Sequence, residues 1–360
     1  MPLATDIKEV YIVGWPDKEQ IAKAVLDMLT VNLGLKEGER LLVLTDVPTT
    51  DDWRKDLARL VDMLERAMLA KVVNGIASEY HPDCTVEFYA YPAVGSHGAE
   101  LPQAMAARLR QADVVVAITS YSLSHTDARQ EAKKAGTRLA SMPGFLARMF
   151  APDGPMAVDY RQVAAEVQAF ADWLTAAQDA VVRTPEGTNL RFSLAGRHGE
   201  SDHGLYTAKG SWGNLPAGEA YIAPLEGTAQ GKLVVPAGWY PGLEEDMTLY
   251  FRDGLVYALE GGGAVGENFL ELLKLGDDRE PYRSRRNLAE LGIGTNPNAS
   301  RPDNVLEAEK IRGTVHLAIG DNAHMGGTVS ADLHEDFVLP HPDLLLDGQL
   351  VTLGRRQGCS

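Results

Sequence analysis

Residues 40–46 read Arg-Leu-Leu-Val-Leu-Thr-Asp. A continuous apolar run closed by polar residues is the pattern of a strand covered on both faces, as in a parallel sheet. Toward the C-terminus, residues 51–77 have helical spacing and residues 84–91 (CTVEFYAY) read as a strand. Residues 101–110 then read as a helix, and residues 113–118 (DVVVAI) as a second buried strand. Toward the N-terminus, residues 21–33 place apolar positions at helical spacing, behind a short apolar run at 10–13. Strand and helix alternate, which favours a mostly parallel sheet with helices on both faces.

The texture changes near residue 181. A helix expected over 160–180 is followed by Pro185-Glu186-Gly187, a hinge candidate, and then by glycine, proline and short strands. Residues 247–251 and 255–259 read as a hairpin closed at Asp253-Gly254. Residues 233–235 and 315–319 read as further strands, and 266–275 and 283–290 as two short helices. The expected organisation is an α/β domain over 1–182 and a β-rich α+β domain over 183–360. The length of 360 residues agrees with two domains of roughly 150 residues or more each.

Hydrophobic residues make up 45% and charged residues 23%, a globular mixture. Lys+Arg 34 against Asp+Glu 50 gives a formal charge of -16, which argues against nucleic acid and anionic membranes as partners and favours a cation. No window is apolar enough to span a bilayer, and residues 1–6 lack the basic and apolar regions of a signal peptide. A cytoplasmic location is therefore expected. Two cysteines, Cys84 and Cys359, support neither a disulfide framework nor a thiolate-rich zinc site.

The polar residues of the second half carry the chemistry. In an extended Leu333-His334-Glu335-Asp336-Phe337, His334 and Asp336 project from one face, as metal ligands or as an exposed strand end. His316 lies inside an apolar strand, where a histidine is either a ligand or a core residue satisfied by a hydrogen bond. Glu219 stands at the mouth of a strand, and Glu290 ends the segment SRRNLAE.

Taken in order, these segments resemble the M29 metallo-aminopeptidases of the aminopeptidase T group. Residues 214–224 (NLPAGEAYIAP) are similar to that family's N-x-P-x-G-E-V-(F/Y)-x-A-P segment, and Glu219 falls on its first glutamate ligand. Glu290 falls on the second, in R-x-L-(G/A)-E. His316 falls on the first histidine, in H-(L/I)-A-(L/F)-G, and His334 and Asp336 fall on the terminal H-x-D-F. The resemblance implies a metal-binding second domain, a homodimer, and removal of N-terminal residues from peptides or small amides. One or two divalent ions (zinc, cobalt or manganese) would be held by Glu219, Glu290, His316, His334 and Asp336, with Glu219 and Glu290 as catalytic groups. Three carboxylates against two divalent ions leave a formal charge of about +1, which favours a metal-bound hydroxide.

Two departures open an alternative. The aminopeptidases carry a tyrosine seven residues after the first histidine; here that position is Ala323, followed by His324, an auxiliary candidate. The stretch from His316 to His334 is also short. A related branch with the same fold contains 2,5-dihydroxypyridine dioxygenases that use one non-haem Fe(II). On that reading His316, His334 and Asp336 form a two-histidine, one-carboxylate face. A third reading, a binding protein that kept the fold and lost the chemistry, applies if the five ligands do not converge.

Two further features are weighed. Gly261-Gly262-Gly263-Ala264-Val265-Gly266 satisfies G-x-G-x-x-G, but it follows the second arm of a hairpin, so a nucleotide site is rejected. Ser124, His125 and Arg129 follow a buried strand where open α/β sheets bind ligands. They are candidates to touch substrate, or simply a helix cap.

Overall fold

The computed structural model describes residues 16–354 except 55, 56 and 125, so the apolar run at 10–13 lies outside the described residues. In chain order the strands are β1 (Arg40–Val47), β2 (Thr85–Pro92), β3 (Val114–Thr119), β4 (Arg138–Pro143), β5 (Asp179–Arg183), β6 (Asn189–Ser193), β7 (Glu200–Asp202), β8 (Trp212–Asn214), β9 (Glu219–Ile222) and β10 (Gln230–Val235). There follow β11 (Met247–Arg252), β12 (Leu255–Gly261), β13 (Leu288–Gly294), β14 (Val315–Gly320), β15 (His334–Leu339), β16 (Asp343–Leu346) and β17 (Gln349–Leu350).

The chain divides into two compact units. One runs to Asp153 and takes in Tyr206–Asn214; the other comprises Gly154–Leu205 and the chain from Leu215. Composition changes at 182/183, where strands begin to dominate, whereas compactness changes earlier, so that the helix Tyr160–Ala176 belongs to the second unit. Among the described residues, no helix is long and apolar enough to cross a membrane.

The first unit is a parallel sheet in the order β2-β1-β3-β4-β8. Leu41 to Asp46 of β1 and all of β3 are buried, as expected of central strands between two helix layers. The carboxyl ends of β1 and β3 are tied together by Asp46, whose Oδ1 accepts hydrogen bonds from Ser120 N and Oγ.

The second unit contains two antiparallel sheets. The larger runs β12-β11-β10-β6-β5-β16-β17, and the smaller runs β15-β14-β13-β9-β7. The expected hairpin is present: Asp253 and Gly254 both take positive φ, as a two-residue turn of this kind requires. One expectation is corrected. Of residues 283–290, only Tyr282–Arg285 forms a short helical turn, and Glu290 lies on β13. Leu, Ala and Glu favour helices, but pairing of β13 with β9 and β14 overrides that local preference.

Register in the smaller sheet determines what it can do. Asp202 pairs with Glu219, Glu219 with Gly294, Gly292 with His316, Glu290 with Ala318, Ala318 with Asp336, and Gly320 with His334. Directly opposed residues share a face. Asp202, Glu219, Glu290, His316, His334 and Asp336 therefore stand on one side, interleaved with Gly292, Gly294, Ala318 and Gly320. The alternate residues, including Ile222, Leu291, Ile293, Leu317, Ile319 and Phe337, face a core shared with Val167, Phe170 and Leu174 of the helix Tyr160–Ala176. Each fully buried Leu, Ile or Phe contributes roughly 1.5–3 kcal/mol, so the dry face holds the sheet while the other face is polar.

The small residues on the polar face are steric necessities. A Cβ on Gly292 would lie 1.9 Å from His316 Nε2, and one on Gly294 would lie 2.1 Å from the Ile311 carbonyl oxygen. Gly292→Ala is expected to fold but to lose about 1–3 kcal/mol in urea denaturation, because the His316 ring must move. A variant as stable as the parent would contradict the packing described.

Candidate metal centre

Glu219 enters at the start of β9, Glu290 from the middle of β13, His316 from β14, and His334 and Asp336 from β15. His316 Nε2 lies 3.2 Å from Glu290 Oε1 and 3.4 Å from Glu219 Oε2. His334 Nε2 lies 3.2 Å from Glu290 Oε2 and 3.7 Å from Asp336 Oδ1. Glu290 is thus lodged between two imidazoles. The five residues singled out in the sequence form one chain of side-chain contacts, Glu219 to His316 to Glu290 to His334 to Asp336.

The protonation of His334 follows from its neighbours. Its Nδ1 lies 2.8 Å from the Asp321 carbonyl oxygen, which can only accept, so Nδ1 carries a proton. In the neutral ring, Nε2 then turns its lone pair toward Glu290 and Asp336. Lone pair against carboxylate is repulsive unless a proton or a cation lies between them. Burial opposes a charge on His334, but Asp336 and Glu290 outweigh it and raise its affinity for a proton well above the usual range. Glu290 shows the counterpart: burial disfavours its charge, yet hydrogen bonds from His316 and His334 hold it below the usual carboxylate range.

Three residues of the cluster escaped the sequence reading. Lys310, 1% exposed, donates to Glu219 Oε1 and, at 3.3 Å, to Glu309 Oε2, and its Nζ lies 3.7 Å from Asp202 Oδ2. Burial works against this ammonium, but Glu219, Glu309 and Asp202 keep it protonated far above its ordinary range. The local signal was slight: Glu309-Lys310 precedes His316 in the same segment, and nothing nearby announces that the pair folds inward. Asp202 gives no signal before its register with Glu219 is known.

The charge balance tests whether a metal fits. Asp202, Glu219, Glu290, Glu309 and Asp336 bring five carboxylates into the cluster, and its one lysine, Lys310, meets only Asp202, Glu219 and Glu309. Buried like charges of this kind need protons or cations. Burial, reinforced by Asp202 and Glu290 and opposed by Lys310, raises the Glu219 carboxyl above the ordinary range. Glu219 Oε2, His316 Nδ1 and Asp336 Oδ1 are buried without a hydrogen-bond partner. Ligand atoms of Glu290, His316 and Asp336 lie within 4.8 Å of one another, and so do those of Glu219, Glu309 and His316. Carboxylate and imidazole donors without thiolate suit a divalent ion such as zinc, manganese or ferrous iron.

Around this cluster the loop before β15 is well tied. Glu226 accepts from Asn322 Nδ2, Thr328 N and Arg197. His324 Nδ1 lies 2.7 Å from Asp321 Oδ1, and its ring meets that of His334 edge-on, with centroids 5.5 Å apart. The loop replacing the family's tyrosine therefore sets a second histidine against a candidate ligand. Tyr221 stands on the same sheet face, and burial, with Glu290, Asp202 and Glu219 nearby, raises its phenol well above the ordinary range.

The remaining candidates have local partners. Ser124 Oγ bonds to Asn214 Oδ1, and its carbonyl accepts from Arg129 Nε and Nη2. The Arg129 guanidinium lies 3.9 Å from the centre of the Trp212 ring, and Thr126 caps the helix that follows. His125 lies outside the described residues. At the glycine cluster 261–263, Gly263 N donates to Glu245 Oε1, so a carboxylate of the chain itself sits at this helix start.

Comparison with known proteins corrects the leading functional expectation. The 2,5-dihydroxypyridine 5,6-dioxygenase family model matches residues 20–356. The 2,5-dihydroxypyridine 5,6-dioxygenase of Pseudomonas putida is 27% identical over 263 residues, covering 68% of this chain and 71% of that protein. The solved structure of the Pseudomonas putida 2,5-dihydroxypyridine dioxygenase shares the fold, with TM-score 0.69 and 19% identity over 94% of this chain and 96% of that one. AmpT from Thermus thermophilus also shares it, with TM-score 0.61 and 16% identity over 93% of this chain and 100% of that one. The expectation of a hydrolase, a metalloprotease with aminopeptidase activity, is thereby overturned; the absent tyrosine and the short loop were its signs in the sequence. What was read as the secondary branch is where the sequence falls, and the chain belongs to the 2,5-dihydroxypyridine 5,6-dioxygenase family.

Proposed function

We propose that the chain is a ring-cleaving dioxygenase acting on a dihydroxylated pyridine, with one non-haem Fe(II) held by His316, His334 and Asp336. The observation that carries this reading is the convergence of two imidazoles and a carboxylate on one sheet face, in a chain of this family. When bound, the ion supplies a common centre for O₂ and for a substrate that chelates through adjacent oxygen and nitrogen or oxygen atoms.

The chain's own groups do the rest. Asp321 fixes the His334 ring through its carbonyl and orients His324 through its carboxylate. Glu290, between His316 and His334, keeps both rings turned toward the centre. Tyr221, kept protonated by burial and by the carboxylates around it, remains a hydrogen-bond donor. His324, at the partly exposed edge beside His334, is placed to exchange a proton with a bound heteroaromatic.

Protein stripped of metal and reloaded anaerobically with Fe(II) is expected to consume one O₂ per 2,5-dihydroxypyridine, followed with an oxygen electrode and by loss of ring absorbance. No oxygen uptake with any dihydroxypyridine would overturn the reading. His334→Ala and Asp336→Asn are each expected to lower turnover by about a hundredfold or more and to release iron, since each removes a direct ligand. Retention of full iron content and rate by both variants would place the ion elsewhere.

A further inference from the structure

The cluster has two halves that share His316. One consists of Glu219, Glu309 and His316, the other of Glu290, His316 and Asp336. On ligand type alone each half suits a divalent ion, and together they have the composition of a two-metal centre. They differ in one respect. Lys310 Nζ donates to Glu219 Oε1 and to Glu309 Oε2, both carboxylates of the first half, with Asp202 3.7 Å away. Among the described residues, no lysine or arginine pairs with Glu290 or Asp336.

We propose that Lys310 is the resident cation of the Glu219–Glu309 half, so that the centre accepts a single divalent ion at His316, His334 and Asp336, beside Glu290, and excludes a second. A compact ammonium with three donors neutralises the carboxylates that a second ion would need, holding Glu219 Oε1 and Glu309 Oε2 while Glu219 Oε2 faces His316. Two cations sharing Glu219 and Glu309 would stand a few ångströms apart, where repulsion in a buried site is large. Lys310 is fixed in place: its carbonyl accepts from Asn296 N, and Asn296 in turn donates through its side chain to the carbonyls of Ala217 and Pro155. Lys310 is thus a positioning residue. It holds one oxygen of Glu219 and leaves the metal to the other half, where two imidazoles and one ion favour mononuclear chemistry.

This inference rests on the metal-binding part of the proposed function and is tested without substrate or oxygen, so its failure is separable from a failure of ring cleavage. Metal-free protein is titrated with Mn(II), and bound manganese per chain is measured together with the electron paramagnetic resonance spectrum. The parent and Lys310→Arg are expected to bind one ion with the signal of isolated Mn(II). Lys310→Met is expected to bind two, with a spin-coupled signal. Two ions on the parent, or one on a Lys310→Met variant that retains the parent's circular dichroism, would overturn the proposal. Should Lys310→Met fail to fold, Glu219→Gln decides. Because Glu219 serves Lys310, this variant still binds one Mn(II), weaker by about tenfold at most, whereas Asp336→Asn binds none. A Glu219→Gln protein that binds no manganese would equally refute it.

Discussion

Period-two alternation in the sheet β15-β14-β13-β9-β7 is the constraint on which the rest of the second unit depends. A strand shifted by one residue would turn its charged and imidazole side chains into the core and its core residues toward the polar face. Leu317 and Ile319 flank His316 and Ala318 in the sequence but point the other way, into the apolar cluster. The energy that holds the strands in register comes from that dry face. The opposite face carries an electrostatic load that no isolated segment of the chain would tolerate. Chemistry and stability are thus separated by the thickness of one sheet.

The same alternation explains why small residues recur among the acidic and imidazole side chains of the polar face. Gly292 leaves room for an imidazole to lie across its strand, Gly294 for the backbone around Ile311, and Gly320 for the approach of Leu333. Acidic groups at this density become compatible with a folded chain because cations and hydrogen-bond donors are interleaved among them. Lys310 meets three carboxylates, and the two histidines share Glu290.

Much of this could be read from the sequence where information is local. The uninterrupted apolar runs of β1 and β3, the turn at Asp253-Gly254 and the His334-x-Asp336 spacing each announce their geometry within a few residues. Glu290 was misplaced on a helix because its neighbours favour helix locally, and only pairing with distant strands decides otherwise. Lys310 stayed hidden for a stronger reason: its main partner Glu219 is 91 positions away, and a lysine beside a glutamate ordinarily marks a solvated surface. The choice of peptidase failed because shared ligand types leave the reaction open. The loop around Ala323 and His324, where the chain departs from the aminopeptidase pattern, was the better guide.

The short strand β8 has a consequence of another kind. Residues Tyr206–Asn214 belong to the first unit although the chain on either side belongs to the second. The backbone therefore passes between the units three times, and neither unit is a single uninterrupted stretch from one of the protein's ends. Recombination, proteolysis or gene fission at one point yields fragments that each lack part of a sheet. The parallel sheet is therefore not one contiguous block of sequence: nine residues of its unit, Tyr206–Asn214, are embedded in the sequence of its neighbour.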